Sequence, residues 1–562
     1  MQKIYPFLSI KSIFLAGAIL VSVQGAKAQS TYLPNSYQLY QKFNADIYST
    51  KTSFHSSLRP FLIDSLIQHS YDSVMNVGVN PDRKSWFTRK LLNEHLFEVK
   101  RPNYTFYGDV ILDLDLSKDF NAKTGGLAQR YSAQGQLATL TVNSSNYLNT
   151  RGYQFGGTVG KNFSFFTSGF ENSAKFPTYY NTVVNANQFI PGQAYLRNYQ
   201  GIAKNSADWS YVTAILSYNV SKNVNVTLGE DKMFIGDGYR SLLLSDYAAN
   251  MPLLRVTANL GKHVQYMAAW AYIEDLKETK FDTFGSNRRK WAFFHYIDWN
   301  VSNRVSFGFF NALISPEADA TGNRRGFDAN MINPIFFSSS LGPSQQPKDN
   351  TLVGFTAKYK ILDKTALYAQ LLLDRFKAGG FFSGNNADNT NGVQVGIRGA
   401  DLFAVKHFNY LFEFNTVKPY TYQNANTISS YNFYGDPLAH PYGANFREAL
   451  GILNYSFGRI DLQGQINYAK YGTDSLSTIN NGKIVNKPFV PTAATTTTVG
   501  QGLSTQLYYA EGTISFLINP KYNLRFELSG LYRQEKSAKA DNKTTMLTFG
   551  LRSSFRNLYH DF

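Results

Sequence analysis

The chain has 562 residues, no cysteine, and 55 Lys and Arg against 39 Asp and Glu, a net charge of +16. Disulfides, thiolate metal sites and a cysteine nucleophile are therefore excluded, and no stretch after residue 28 reaches the ~18 consecutive apolar residues of a membrane-spanning helix. Mean hydropathy is only −0.29, yet 15% of the chain is aromatic, with 38 Tyr, 44 Phe and 42 Gly, a composition that fits outer-membrane β-barrels and their aromatic girdles.

In chain order, the first element is a secretory signal peptide over residues 1–28. Lys3 and Lys11 supply a basic start, the run from Ile13 to Val23 is the apolar core, and Ala26-Lys27-Ala28 is a small-x-small cleavage site before Gln29. Residues 29–103 read as a helical segment on the periplasmic side, placed to plug the barrel. Within it, Ser36 to Tyr48 gathers Tyr40, Phe43 and Ile47 on one face. Ser85 to Val99 does the same with Phe87, Leu91, Leu92, His95 and Leu96, with Ser85 as N-cap.

Over 104–562 the period is two. Leu112, Leu114 and Leu116 alternate with Asp113, Asp115 and Ser117. Val353, Phe355, Ala357 and Tyr359 alternate with Gly354, Thr356, Lys358 and Lys360. The pattern gives 18 strands, near 104–116, 151–160, 162–171, 209–220, 223–230, 253–261, 264–274, 291–300, 303–314, 351–361, 364–375, 391–403, 406–416, 446–457, 459–471, 502–517, 521–534 and 544–557. Tight turns around Lys161, Lys222, Lys262, Ser302, Asp363, Val405, Gly458 and Pro520 alternate with long segments at 117–150, 172–208, 231–252, 275–290, 315–350, 376–390, 417–445, 472–501 and 535–543. Short turns on one rim and long loops on the other predict an all-β fold: an antiparallel transmembrane β-barrel of about 18 strands, with a small N-terminal helical plug. The even strand count puts both termini on the periplasmic side of the outer membrane and the long segments outside, with the Thr-rich 472–501 most exposed. Glu413, Asp461, Arg525 and Glu527 fall on polar strand faces and should meet in ion pairs across the lumen. Phe562, closing the segment Tyr559-His560-Asp561, resembles the terminal aromatic of barrel assembly signals.

The segment from Asp231 to Met251 is the candidate functional loop. Gly236 and Gly238 permit positive φ and close approach of neighbouring chain. Large apolar neighbours such as Phe234, Ile235 and Leu242 to Leu244 predict a packed loop that folds into the barrel mouth. Arg240 in such surroundings needs a carboxylate, for which Asp231, Asp237 and Asp246 are the nearest in sequence. These three carboxylates lack the close spacing of a Ca²⁺ loop, so no metal or other cofactor is expected. His440 has no Ser or Asp placed to complete a catalytic triad, which makes a structural role the expectation and the protein a non-enzyme.

The run Gly229-Glu230-Asp231-Lys232-Met233-Phe234-Ile235-Gly236-Asp237-Gly238-Tyr239-Arg240-Ser241-Leu242-Leu243-Leu244-Ser245-Asp246 resembles the signature of RemB-type gliding-motility proteins of Bacteroidetes, within the broader Wzi-like capsule-assembly family. His55 to Pro60, Asn149 to Gly152 and Leu438 to Phe446 support it. The resemblance implies an 18-stranded barrel with a helical bundle at its periplasmic mouth, a role in holding surface polysaccharide on the cell, and a link to gliding. Asp231, Asp237, Tyr239, Arg240, Ser241, Asp246, His440 and Asn445 are then the residues expected either to touch ligand or to pin the loops. The expected partners are surface polysaccharide or anionic lipopolysaccharide, drawn by the basic charge, and outer-membrane lipid, but not nucleic acid. A porin or substrate-specific channel is the alternative.

Overall fold

The computed structural model describes residues 32–562 apart from 63–64, 124–126, 132–136, 198–205, 277, 279–287, 319–322, 326–348, 377–388, 477 and 493–494. The signal peptide expected over 1–28 lies outside the described residues. Eighteen antiparallel strands form the closed wall: β1 (Tyr104–Asp119), β2 (Ser145–Val159), β3 (Phe163–Lys175), β4 (Ala207–Ser221), β5 (Val224–Asp231), β6 (Met251–Leu260), β7 (Val264–Glu274), β8 (Arg289–Asn300), β9 (Val305–Pro316), β10 (Asn350–Leu362), β11 (Thr365–Arg375), β12 (Thr390–Gly399), β13 (Phe408–Val417), β14 (Phe446–Phe457), β15 (Ile460–Thr473), β16 (Leu503–Asn519), β17 (Leu524–Ser537) and β18 (Asp541–Arg552). Each pairs with its neighbours in sequence, and β18 closes on β1 from Met546↔Asp119 to Leu551↔Leu114. Below that seam the short strand Phe97–Arg101 pairs with the first residues of β1. The helical segment therefore hands over to the wall at Phe97, earlier than the expected boundary at residue 104.

All eighteen strands lie where the alternation put them, because the alternating side chains separate lipid from lumen. Phe355 and Tyr359 of β10 face outward and are exposed, while Thr356, Lys358 and Lys360 face inward and are buried. Phe97, Phe106, Phe155 and Phe165 stack into an outward girdle near the short-turn rim. Two departures stand out. The expected long segment at 535–543 is a tight turn between β17 and β18, closed by the Ser537 N–H on the Ala540 carbonyl. The last strand ends at Arg552 rather than near 557, and residues 553–562 turn back into the lumen.

A barrel this wide leaves an aqueous lumen unless chain fills it, and here four segments do so. The first contains α1 (Tyr37–Tyr40), α2 (Asn44–Ile47) and α3 (Ser65–Met75), packed around Leu39, Tyr40, Phe43, Ile47 and Ile67, while α4 (Trp86–Leu92) buries no side chain and lies at the short-turn rim, where Asn519 and Tyr522 bond the Lys90 carbonyl. The second is 232–250, the third 418–445, and the fourth the C-terminal tail. Leu242, Leu243 and Leu244 pack against Phe294, Phe310, Leu352 and Leu372 on the inner face of β8–β11, all fully buried. Each such side chain contributes roughly 1.5–3 kcal/mol, so this half of the lumen is an apolar core.

The expected helix from Ser85 to Val99 is shorter. α4 stops at Leu92 because Asp109 of β1 takes both His95 Nδ1 (2.7 Å) and the Leu96 N–H (2.9 Å), drawing the chain into strand pairing. Ser85 sits at the N-cap position without a side-chain cap, and Phe87 is exposed. The sequence reading missed α3 and α5 (Thr178–Asn187), the latter lying in the expected loop 172–208.

Candidate functional site

The loop 232–250 leaves β5 and runs into the barrel rather than across its mouth. Phe234 and Ile235 pair with Leu58 and Arg59 of the N-terminal segment. The loop doubles back on itself where the Ile235 N–H bonds the Leu244 carbonyl at 2.9 Å. Gly236 has φ +131°, and a Cβ there would meet Gln370 Nε2 at 2.0 Å. A Cβ at Gly238 would lie 2.3 Å from Glu413 Oε2. Both positions exclude a side chain, and the wall bonds the freed backbone. Gln370 Oε1 accepts from the Leu242 N–H (2.8 Å), Glu413 Oε2 from the Tyr239 N–H (3.0 Å), and Gln394 Nε2 donates to the Arg240 carbonyl (3.0 Å). Tyr422 and Tyr431 donate their hydroxyls to the Leu242 and Leu243 carbonyls. Every buried backbone group named here thus has a partner, as burial demands.

The residues expected in this loop are present but do not form one cluster. Asp231 takes the Tyr32 hydroxyl at 2.8 Å. Asp237 takes Tyr48 (3.0 Å) and Ser56 (2.5 Å), with Lys358 Nζ at 3.8 Å. Burial alone would raise the Asp237 carboxyl, but Lys358, Ser56 and Arg398 hold it below the usual carboxylate range. Asp246 takes Asn557 (2.7 Å) and Tyr559 (2.6 Å) from the C-terminal tail. Ser241 Oγ donates to the Ile235 carbonyl (2.6 Å) and accepts from the Leu243 N–H. Lys232 is pushed down to about 8 by burial and donates to the Gly192 and Asp246 carbonyls.

Arg240 corrects the expected pairing. Its partners are neither Asp231, Asp237 nor Asp246 but Glu448 (3.2 Å) and Asp561 (2.8 Å), reached by Nη2. The guanidinium is 1% exposed and lies 4.9 Å from the Tyr239 ring centroid. His440 Nε2 is 2.7 Å from Glu448 Oε2, and His440 Nδ1 accepts the Tyr442 N–H. Burial pushes this imidazole down, against the pull of Glu448. Both ring nitrogens are engaged in the interior. Asn445 pins the 474–502 segment, bonding the Gly472, Asn481 and Gln501 carbonyls. All eight expected residues hold the plug together, and only Tyr239 keeps partial exposure. Glu413, Asp461, Arg525 and Glu527 face the lumen as expected. Arg525 pairs with Glu527 (2.5 Å) and Asp461 with Lys42 (2.8 Å), while Glu413 serves the 232–250 backbone.

What faces outward is a groove the sequence reading did not single out. It holds about 170 Å³ at the long-segment rim, between α5, the 418–445 and 474–502 segments and the tops of β16–β18. Its edge carries Asn187, Asn486 and Asn542, its wall Lys483, Arg533 and Glu535, and its floor the rings of Tyr179, Tyr442, Tyr471 and Phe562. Lys483 Nζ sits 4.6 Å from the Tyr471 ring centroid and donates to the Tyr442 carbonyl. Burial pushes its ammonium down to about 8, against Glu535 and Asp474. Arg533 bonds the Phe562 carbonyl (3.0 Å), so the C-terminal residue lies near the long-segment rim. Phe562 is thus no wall residue and lies at the opposite rim from the end of β18. The signal available was the loss of alternation after Arg552, where Ser553, Ser554, Arg556 and Asn557 interrupt the pattern. The 474–502 segment is itself less free than expected: Phe489 stacks on Tyr420 at 4.0 Å, while Thr496 near the tip is exposed.

No family model matches the chain, and no curated protein matches it. Among solved structures the chain is similar to Wzi of Escherichia coli, an outer-membrane protein involved in group 1 capsule assembly and described as a carbohydrate-binding β-barrel. The identity is 12%, covering 93% of this chain and 100% of that one, with a TM-score of 0.53. The chain therefore shares the fold of that barrel. Weaker likenesses reach OprD of Pseudomonas aeruginosa (8% identity, 79% of this chain and 94% of that one, TM-score 0.39) and a BenF-like porin of Pseudomonas fluorescens Pf-5 (7%, 80% and 97%, 0.42).

Proposed function

We propose that the protein is a non-enzymatic outer-membrane barrel that binds surface polysaccharide in the groove at its long-segment rim. The observation that carries this reading is a groove of amides, charges and aromatic rings standing over a lumen filled by four segments of the chain. Amide and charged groups suit sugar hydroxyls, and Lys483 with Arg533, lying over the floor rings, suits an acidic sugar. The overall basic charge favours the same class of ligand, and the similar barrel Wzi is described as carbohydrate-binding. The short-turn rim then faces the periplasm. A general porin would need an open lumen, which the plug counts against. No feature of the fold speaks to cell movement, so the gliding link implied by the sequence resemblance is left out of the proposal.

The test is titration of purified acidic and neutral surface polysaccharides into the detergent-solubilised barrel by calorimetry. Lys483→Ala combined with Asn542→Ala should weaken binding by about tenfold or more, the worth of one charge-assisted hydrogen bond, with heat-modifiable gel mobility unchanged. Wild-type-like affinity in the correctly folded variant would sink the groove as the site, and no binding of either polysaccharide by the wild type would sink the function.

A further inference from the structure

A second cavity, of about 200 Å³, lies inside the barrel against the inner faces of β14–β18 and β1–β2. Lys175, Pro177 and Tyr180 border it toward the long-segment rim, and Ser36, Gln38 and Gln41 toward the short-turn rim. It therefore runs along most of the height of one wall, between that wall and the plug. Inward-facing Asp461, Gln463, Glu511, Thr513, Ser529 and Arg552 keep partial accessibility. On the opposite wall the inward Lys290, Gln394 and Asn415 have none.

The lining holds polar atoms that no protein group satisfies. Both amide atoms of Asn146 toward one end and of Asn454 toward the other have no partner, nor do Trp209 Nε1, Gln41 Oε1 and Asp561 Oδ1. All five residues are less than 5% exposed. Leaving such groups dry costs roughly 1–3 kcal/mol each, and the space far exceeds the ~15 Å³ that one water needs. Donors and acceptors spread over the whole length mark a wetted seam.

The charges along it are nearly balanced. Asp115 pairs with Arg552 (2.7 Å), Glu527 with Arg525 (2.5 Å) and Arg552 (3.1 Å), and Asp461 with Lys42 (2.8 Å). Asp561 pairs with Arg240, and Arg556 with Asp113. Glu511, midway along β16, is the lining carboxylate with no cation within ion-pair distance among the described residues, and it takes only the Tyr509 hydroxyl (2.5 Å). Lys175 stands at the outer mouth, where water and salt screen it. A carboxylate deep in a low-dielectric wall acts on a permeating ion far more strongly than a screened mouth charge.

We propose that this seam is a narrow aqueous path along the β14–β18 wall that passes small hydrated cations, with Glu511 setting the cation preference. The path does not depend on the outer groove or on what binds there. It predicts a small, steady conductance from the folded full-length protein in planar bilayers, with a cation-preferring reversal potential in a KCl gradient. Glu511→Gln should move that potential toward zero. Ser529→Trp, and separately Thr513→Trp, which neighbour Glu511 on the cavity wall, should lower the conductance severalfold. Conductance no higher than a bare bilayer from correctly folded wild type would overturn the proposal. So would a conductance that neither tryptophan changes, because the current would then run elsewhere, and so would an anion-preferring reversal potential.

Discussion

Arg240 offers the sharpest test of how the plug is held. Its guanidinium is 1% exposed and serves Glu448 at 3.2 Å and Asp561 at 2.8 Å. Arg240→Met keeps most of the volume and the contact with the tyrosine rings but leaves two buried carboxylates without their cation. Removing one partner of a buried pair costs about 3–5 kcal/mol, chiefly the uncompensated charge. Glu448 keeps His440 and Asn415, and Asp561 keeps Gln465 and Asn467, so the cost should fall at the lower end of that range. Adding Asp561→Asn removes one orphaned charge and should recover part of the loss. Guanidinium unfolding in lipid vesicles, followed by heat-modifiable gel mobility, measures both variants. A loss below about 1 kcal/mol, the worth of a surface pair, would refute the account of Arg240 as the buried clamp. So would a double variant no more stable than the single one.

Acidic polysaccharide should bind more weakly as pH rises. The Lys483 ammonium, at about 8, carries its charge below that pH and loses it above, so affinity should fall between about pH 7 and pH 9; Lys483→Gln should flatten the profile measured by calorimetry. Deleting residues 32–95 should leave the β-sheet circular dichroism intact, since the wall strands lie downstream. It should also raise bilayer conductance well above the wild type, because Asp231, Asp237 and Asp461 lose Tyr32, Tyr48 and Lys42 and the 232–250 loop loses its strand partner. A folded deletion protein with unchanged conductance would show that the other three segments seal the lumen unaided. Mass spectrometry of the exported protein should find Gln29 as the first residue, and an uncleaved chain in the membrane would refute the signal peptide.

The wall was legible because its physics is local. Alternation along Val353 to Tyr359 is the same fact as lipid on one side and lumen on the other, so strands and turns could be placed from one sequence. Tertiary contacts were legible only in kind. Arg240 demanded a buried carboxylate, and it has two, but they stand 208 and 321 residues away, where nothing local points. α4 ended early for a similar reason: Asp109, on another strand, outbids the helix for the chain at His95 and Leu96. The apolar inner face of β8–β11 was hidden because alternation disappears where both faces are apolar, as in Trp291, Ala292, Phe293 and Phe294. The groove was hidden because its edges come from segments brought together only by the closed barrel.

The two ends of the described chain meet at one loop, and this bears on what the groove can do. Tyr48, Ser56 and Ser57 hold 232–250 from the N-terminal side. Tyr559 and Asp561 hold it from the C-terminal side. Helices of 4 to 11 residues are too short to persist alone, so the plug can order only against the finished wall. Once ordered, it fixes the groove floor from below: Tyr442 donates to the Asp561 carbonyl (3.0 Å), Tyr247 packs on Tyr559 (5.5 Å between centroids), and Arg533 holds the Phe562 carbonyl. A floor held at that many points loses little freedom when a ligand arrives, and the ordering cost of binding falls instead on the 474–502 edge and on the ligand. Loosening the plug should therefore weaken binding even where no groove residue is changed. Asp246→Ala, which removes the acceptor for Asn557 and Tyr559, tests this: calorimetry should show weaker polysaccharide binding with a less favourable entropy and an otherwise folded barrel. Unchanged affinity and entropy in that variant would mean that the groove floor is set by the wall alone.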